Sequence, residues 1–145
     1  MKEYIVLLTI EEVVKVYSCC ISAIADIEEK SGVENLPYII NRIDPKENID
    51  KILSIKSKLK KEMIANLGNN NGMITVILDT SDIIKLNTCC NAAIDMEKRT
   101  IELIDRSCST VDNCIENINS IYKIKEKLKS VMREECEWNL NMVIL

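Results

Sequence analysis

No histidine occurs among the 145 residues. The commonest general base near neutral pH, and the commonest metal ligand, are therefore missing. Phenylalanine is missing too, and the aromatics amount to one Trp and four Tyr. The core has to be built from aliphatic side chains. Three Gly in total supply no phosphate cradle, and neither G-x-x-x-x-G-K-[ST] nor G-x-G-x-x-G is present. No apolar run approaches the ~20 residues of a membrane span. The run nearest the N-terminus, Ile5 to Leu8, is too short for the apolar region of a signal peptide, and Glu11 and Glu12 follow closely. The expectation is a soluble, cytoplasmic protein.

What is present is a foldable composition: 47% apolar, 29% charged, with a net charge of −4. The length fits one compact domain. An acidic balance, with a pI near 5.0, argues against a general nucleic-acid binder, which usually carries excess positive charge. Seven cysteines stand at 19, 20, 89, 90, 108, 114 and 136. The number is odd and two pairs are vicinal. No CxxC occurs, and no His completes a zinc site. Without a secretory signal, free thiols that pack as small hydrophobes are expected, with no cofactor and no metal.

The strongest signal is internal repetition. Residues 5–20, IVLLTIEEVVKVYSCC, align with residues 75–90, TVILDTSDIIKLNTCC. Val6, Leu8, Lys15, Cys19 and Cys20 recur as Val76, Leu78, Lys85, Cys89 and Cys90. A second block, residues 47–63 (ENIDKILSIKSKLKKEM), aligns with residues 116–132 (ENINSIYKIKEKLKSVM), with ten of seventeen positions identical. Two blocks in the same order at nearly the same shift point to a tandem duplication. Residues 142–145, MVIL, match the apolar start of each unit. The organisation expected is a single domain made of two repeats, 1–70 and 71–140, and a closing strand at 141–145.

Each unit starts with an apolar run that reads as a buried strand. A capping box follows: Thr9 with Glu12, then Asp79 with Asp82. The next helix carries an apolar stripe. In the first unit it is Ile10, Val13, Val14, Tyr17, Cys20, Ile21 and Ile24; in the second, Ile83, Ile84, Cys90, Ile94, Ile101 and Ile104. Cys19 and Cys89 fall beside the stripe, where a helix–helix contact would keep them. A connector leads through Gly32 and Pro37 to a last helix, with Asp44 as N-cap and Pro45 at its first position; Asn113 and Cys114 replace them in the second unit. Ile49, Ile52, Leu53, Leu59 and Met63 are expected to face inward. The fold class expected is α+β and predominantly helical: two tandem β-α-(α)-α units plus a C-terminal strand, with helices packed on a small three-stranded sheet about an internal pseudo-two-fold axis.

Chemistry is hard to find. The acids read as helix caps and solvated faces, and no activated nucleophile accompanies the Ser and Thr residues. A non-enzyme is expected. One positive feature is duplicated: Lys56, Lys58 and Lys60 recur as Lys125, Lys127 and Lys129. Set side by side by pseudo-symmetry, they would form a cationic patch for an acidic partner or a phosphate backbone; otherwise they form a solvated helix face. Trp138 is a candidate interface anchor. Two functions follow. The first is a protein–protein interaction module, an adaptor, inhibitor or small accessory protein, acting on a protein partner or by self-association as a homo-oligomer. The second is nucleic-acid binding. A strand followed by two helices, twice, resembles the ribbon-helix-helix order of elements fused in tandem. That arrangement presents polar strand side chains to the major groove, whereas these strands read IVLL and TVIL. Any nucleic acid would therefore be held by the lysine helices, through phosphates.

Overall fold

The computed structural model describes residues 2–31, 45–68, 72–104 and 109–138. The elements follow one another as β1 (Glu3–Thr9), α1 (Ile10–Ser31), α2 (Pro45–Ala65), β2 (Met73–Asp79), α3 (Thr80–Leu103) and α4 (Ser109–Trp138). The class is α+β and predominantly helical, as expected. The described sheet has two strands where three were expected. Residues 142–145, and the connector at 32–44 with Asp44, lie outside the described residues.

β1 and β2 pair antiparallel along their whole length, Glu3 opposite Asp79, Val6 opposite Val76 and Thr9 opposite Met73. The ladder gains one further bond, from the Ile10 N–H to the Gly72 carbonyl at 2.9 Å. Gly72 has φ +72°, a left-handed conformation that a side chain would strain.

Helices cover one face of this ribbon. Tyr4, Val6 and Leu8 of β1 are buried there with Ile74, Val76 and Leu78 of β2. The alternate residues stay outside: Ile5 is 66% exposed, Leu7 54%, Ile77 53% and Met73 42%. A sheet with helices on one side buries every second residue, and both strands follow that alternation.

The helical stripes are shifted from those the sequence suggested. α1 buries Val13, Val16, Cys19, Cys20 and Ala23, and α3 buries Ile83, Leu86, Cys89, Cys90, Ala93 and Ile94. Ile10, Val14 and Ile21, expected inside, lie on the outer side of α1, as Ile84 does in α3. The reason is the neighbour. α1 packs on both α3 and α2, and positions 13, 16, 19, 20 and 23 are buried while 14 and 21 turn outward. Cys20 lies against Cys89 and Cys19 against Cys90. Further along, Arg99 reaches Asp26 at 3.6 Å.

α2 buries Ile52, Ile55 and Leu59; Leu53 is 43% exposed, because it sits about 100° round from Ile52. α4 begins at Ser109, so Asn113 and Cys114 lie inside the helix and not at its cap. Its buried stripe, Val111, Cys114, Ile118, Ile121, Ile124 and Leu128, continues back beyond the point where Pro45 starts α2.

Candidate functional site

Both strand-to-helix junctions carry the expected capping boxes. The Glu12 N–H donates to Thr9 Oγ1 at 3.1 Å, and the Thr9 N–H donates to Glu12 Oε1 at 2.9 Å. At the other junction the Asp82 N–H donates to Asp79 Oδ1 at 2.7 Å, and the Asp79 N–H to Asp82 Oδ2 at 3.1 Å. Each box satisfies two amides that a helix start leaves without partners.

The capping acids have a second role that the sequence did not reveal. Lys58 of α2 donates to Asp82 Oδ2 at 2.6 Å, and Lys51 stands 3.0 Å from Asp82 Oδ1. Lys127 of α4 donates to Glu12 Oε1 at 2.5 Å. The bonds are crossed: the last helix of the first half holds the junction of the second, and the last helix of the second half holds that of the first. A further crossed set joins the same helices, Lys15 to Asn117 and Lys85 to Asn48. Asp82 is the one buried charged residue among the described residues. Burial pushes its carboxyl up, but the bonds from Lys58, Lys51 and the Asp79 amide outweigh this and hold it below its ordinary value. At Glu12, too, burial is outweighed by Lys127 and the Thr9 bonds, and the carboxyl is held low. The Asp82 hydrogen bond raises the Lys58 ammonium against a smaller opposing effect of burial.

These bonds account for much of the duplicated lysine pattern. Lys58 and Lys127 are clamps. Lys56 stands 5.2 Å from the centre of the Tyr17 ring. Lys125 donates to Asn91 at 2.5 Å and stands 5.5 Å from the Tyr122 ring. Lys129 pairs along its own helix with Glu126 at 4.0 Å, and Lys60 is exposed. The two groups are not joined into one patch. Lys58 works beside Asp79 and Glu3, and Lys127 beside Thr9, which are opposite ends of the ribbon. Trp138 ends α4; its side chain lies outside the described residues.

The chain matches no family model, no curated protein and no solved structure.

Two surfaces are open. A shallow groove of about 540 Å³ runs between α1 and α4, with Ile10, Val14 and Ser18 on one wall and Lys123 and Ile124 on the other. The second surface is the outer face of the ribbon. Ile5 stands opposite Ile77, Leu7 opposite Thr75 and Thr9 opposite Met73. These side chains form an apolar strip between the charged pair Glu3 and Asp79 at one end and exposed Ile10 at the other. Each strand also has one edge without a partner strand among the described residues. The sequence signal for this face was the period-2 alternation, concealed because the residues of both faces are apolar. Among the described residues no group of three or more His, Cys, Asp or Glu is placed to hold a metal ion, and no helix is long and apolar enough to cross a membrane.

Proposed function

We propose that this chain is a non-catalytic protein–protein interaction module, and that it docks through the outer face of the β1–β2 ribbon. The observation that carries this reading is the exposure of Ile5, Leu7, Met73 and Ile77 on one continuous strip. Apolar surface of that kind is costly to leave in water, at about 25 cal/mol per Å², and contiguous patches mark association sites. The open strand edges add unsatisfied backbone groups that a partner strand would pair. A matching apolar surface on another protein chain, a second copy included, is the partner this chemistry fits.

The two β-α-α halves are read here as a tandem duplication about a pseudo-two-fold axis through the Val6–Val76 pair. Three observations support it. The strands share one burial pattern. The register is centred on two residues that align with each other. The lysine clamps occur at aligned positions and are exchanged between the halves. In the same reading, residues 142–145 are a third strand for one of the open edges.

The element order and the antiparallel ribbon favour a second reading, nucleic-acid binding in the manner of the ribbon-helix-helix arrangement. The outward side chains weigh against it. Ile5, Leu7, Ile77 and Met73 offer no donor or acceptor to a base edge, and Glu3 and Asp79 put negative charge at one end of the strip. The lysines that would hold phosphates are largely engaged within the protein.

Light scattering across a concentration series tests the docking face. The wild-type chain is expected to associate, and Leu7→Glu with Ile77→Glu is expected to remain a folded monomer. A wild-type chain that stays monomeric, and is retained on double-stranded DNA with steep salt dependence, would put the second reading first.

A further inference from the structure

Four thiols from the two halves meet inside the core. Cys19 and Cys20 of α1, and Cys89 and Cys90 of α3, are each no more than 1% exposed, and all four are free. Cys20 is paired with Cys89, and Cys90 with Cys19, each within hydrogen-bonding reach. The contacts run between the helices. Neighbours within one helix point about 100° apart, and a bond between them would distort the backbone. The four do not form a metal cage, since no group of three or more metal-ligating side chains is suitably placed among the described residues. They are two crossed pairs at the seam that joins the halves.

We propose that these pairs are a two-electron oxidation site, at which hydrogen peroxide converts Cys20 with Cys89, and Cys19 with Cys90, into disulfides that staple α1 to α3. The chemistry balances with peroxide as oxidant. The Cys89 sulfur, as thiolate, attacks one peroxide oxygen; the O–O bond breaks, a sulfenic acid forms and hydroxide leaves. The Cys20 sulfur then attacks the sulfenic sulfur, the S–O bond breaks, and the departing hydroxide and the thiol protons end as water. Each disulfide takes two hydrogens from the protein and reduces one peroxide to two waters. Cys89 is the suitable attacking sulfur. The bond from Cys20 favours its thiolate against the opposing effect of burial, and Lys85, one turn earlier, adds to that. Cys20 is pushed up, by the same hydrogen bond and by burial, so it holds its proton until the sulfenic acid forms. Burial selects the oxidant: peroxide is small and uncharged, whereas oxidised glutathione requires the helices to part. In a reducing compartment the staple stays open, and it closes under oxidative load.

Peptide mapping of the folded wild-type chain is the test. The chain is treated with hydrogen peroxide, its remaining thiols are alkylated in acid and denaturant, and it is digested with trypsin without reductant. Cleavage after Lys15, Lys30, Lys85 and Lys98 releases peptides 16–30 and 86–98. The expected product is the two peptides joined, four hydrogens lighter than their sum, and released separately by reductant. Cys19→Ser with Cys90→Ser should still give the joined peptides, two hydrogens lighter, through Cys20 and Cys89. In concentrated urea the yield of this product should fall, as pairing spreads over all seven thiols. Two unlinked peptides, whether alkylated, sulfinylated or closed on their own vicinal cysteines, would overturn the proposal. So would a yield unchanged by urea.

Discussion

Replacing Asp82 with Ala removes a carboxylate that Lys58, Lys51 and the Asp79 amide all use. The reciprocal cap to the Asp79 amide is lost, at about 1 kcal/mol. An acid in the first turn of α3 is lost, at about 0.5 kcal/mol. Lys58 and Lys51 lose their partner, but their side chains are 44% and 35% exposed and return to water. Solvent screening limits those two contacts to about 0.5 kcal/mol each. The sum is roughly 2.5 kcal/mol. Glu12→Ala removes the matching cap, a first-turn acid and one lysine contact, and its side chain is 18% exposed, so about 2 kcal/mol is expected. The two clamps lie at opposite ends of a seven-residue ribbon, about 20 Å apart. The double variant should therefore cost the sum of the singles within about 0.5 kcal/mol. By contrast, Lys58→Met with Asp82→Ala should cost less than the sum, because both act on one contact. Urea unfolding at pH 7, followed by far-ultraviolet circular dichroism, measures all of these. An Asp82→Ala cost below about 0.5 kcal/mol, the range of ordinary surface changes, would refute the account of the clamp.

The same clamps set the acid response. The folded-state carboxyls of Asp82 and Glu12 lie below their ordinary 3.8 and 4.5, so in acid the unfolded chain binds more protons than the folded one. Their contribution is complete above those ordinary values and is lost as pH falls through the depressed ones. Urea midpoints should be level from pH 7 to about 5 and then drop, with a smaller drop in the Asp82→Ala, Glu12→Ala double variant; equal drops would contradict the assignment. Adjacent positions on β1 should respond oppositely to truncation. Leu8→Ala, fully buried, should cost about 2–5 kcal/mol, whereas Leu7→Ala, 54% exposed, should cost under about 0.5 kcal/mol in the monomer. Similar losses at both positions would mean that the outer face is covered.

Much of the fold was legible because it is governed locally. Thr9 with Glu12, and Asp79 with Asp82, mark strand-to-helix junctions by spacing alone, since a capping box needs only residues three apart. Pro45 marks the start of α2 because its ring favours the first helical position. What could not be read was which side of each element meets a neighbour. In a chain this rich in Ile, Val and Leu, both faces of the strands are apolar, and Ile10, Val14 and Ile21 look as fit for the core as Val13, Val16 and Ala23. The lysines misled for a related reason. Their repetition was visible, but a free cation and one engaged across the molecule have the same sequence signature until the acid it reaches is known.

Sequence by itself determined the predominantly helical α+β class, the two capping boxes and the aliphatic character of the interior, because each depends on residues near in the chain or on composition. Tertiary structure alone decided that the lysine clamps cross between halves, that four thiols meet at the α1–α3 seam, and that one face of the ribbon stays open. Those outcomes depend on contacts between residues tens of positions apart, and no local spacing encodes them.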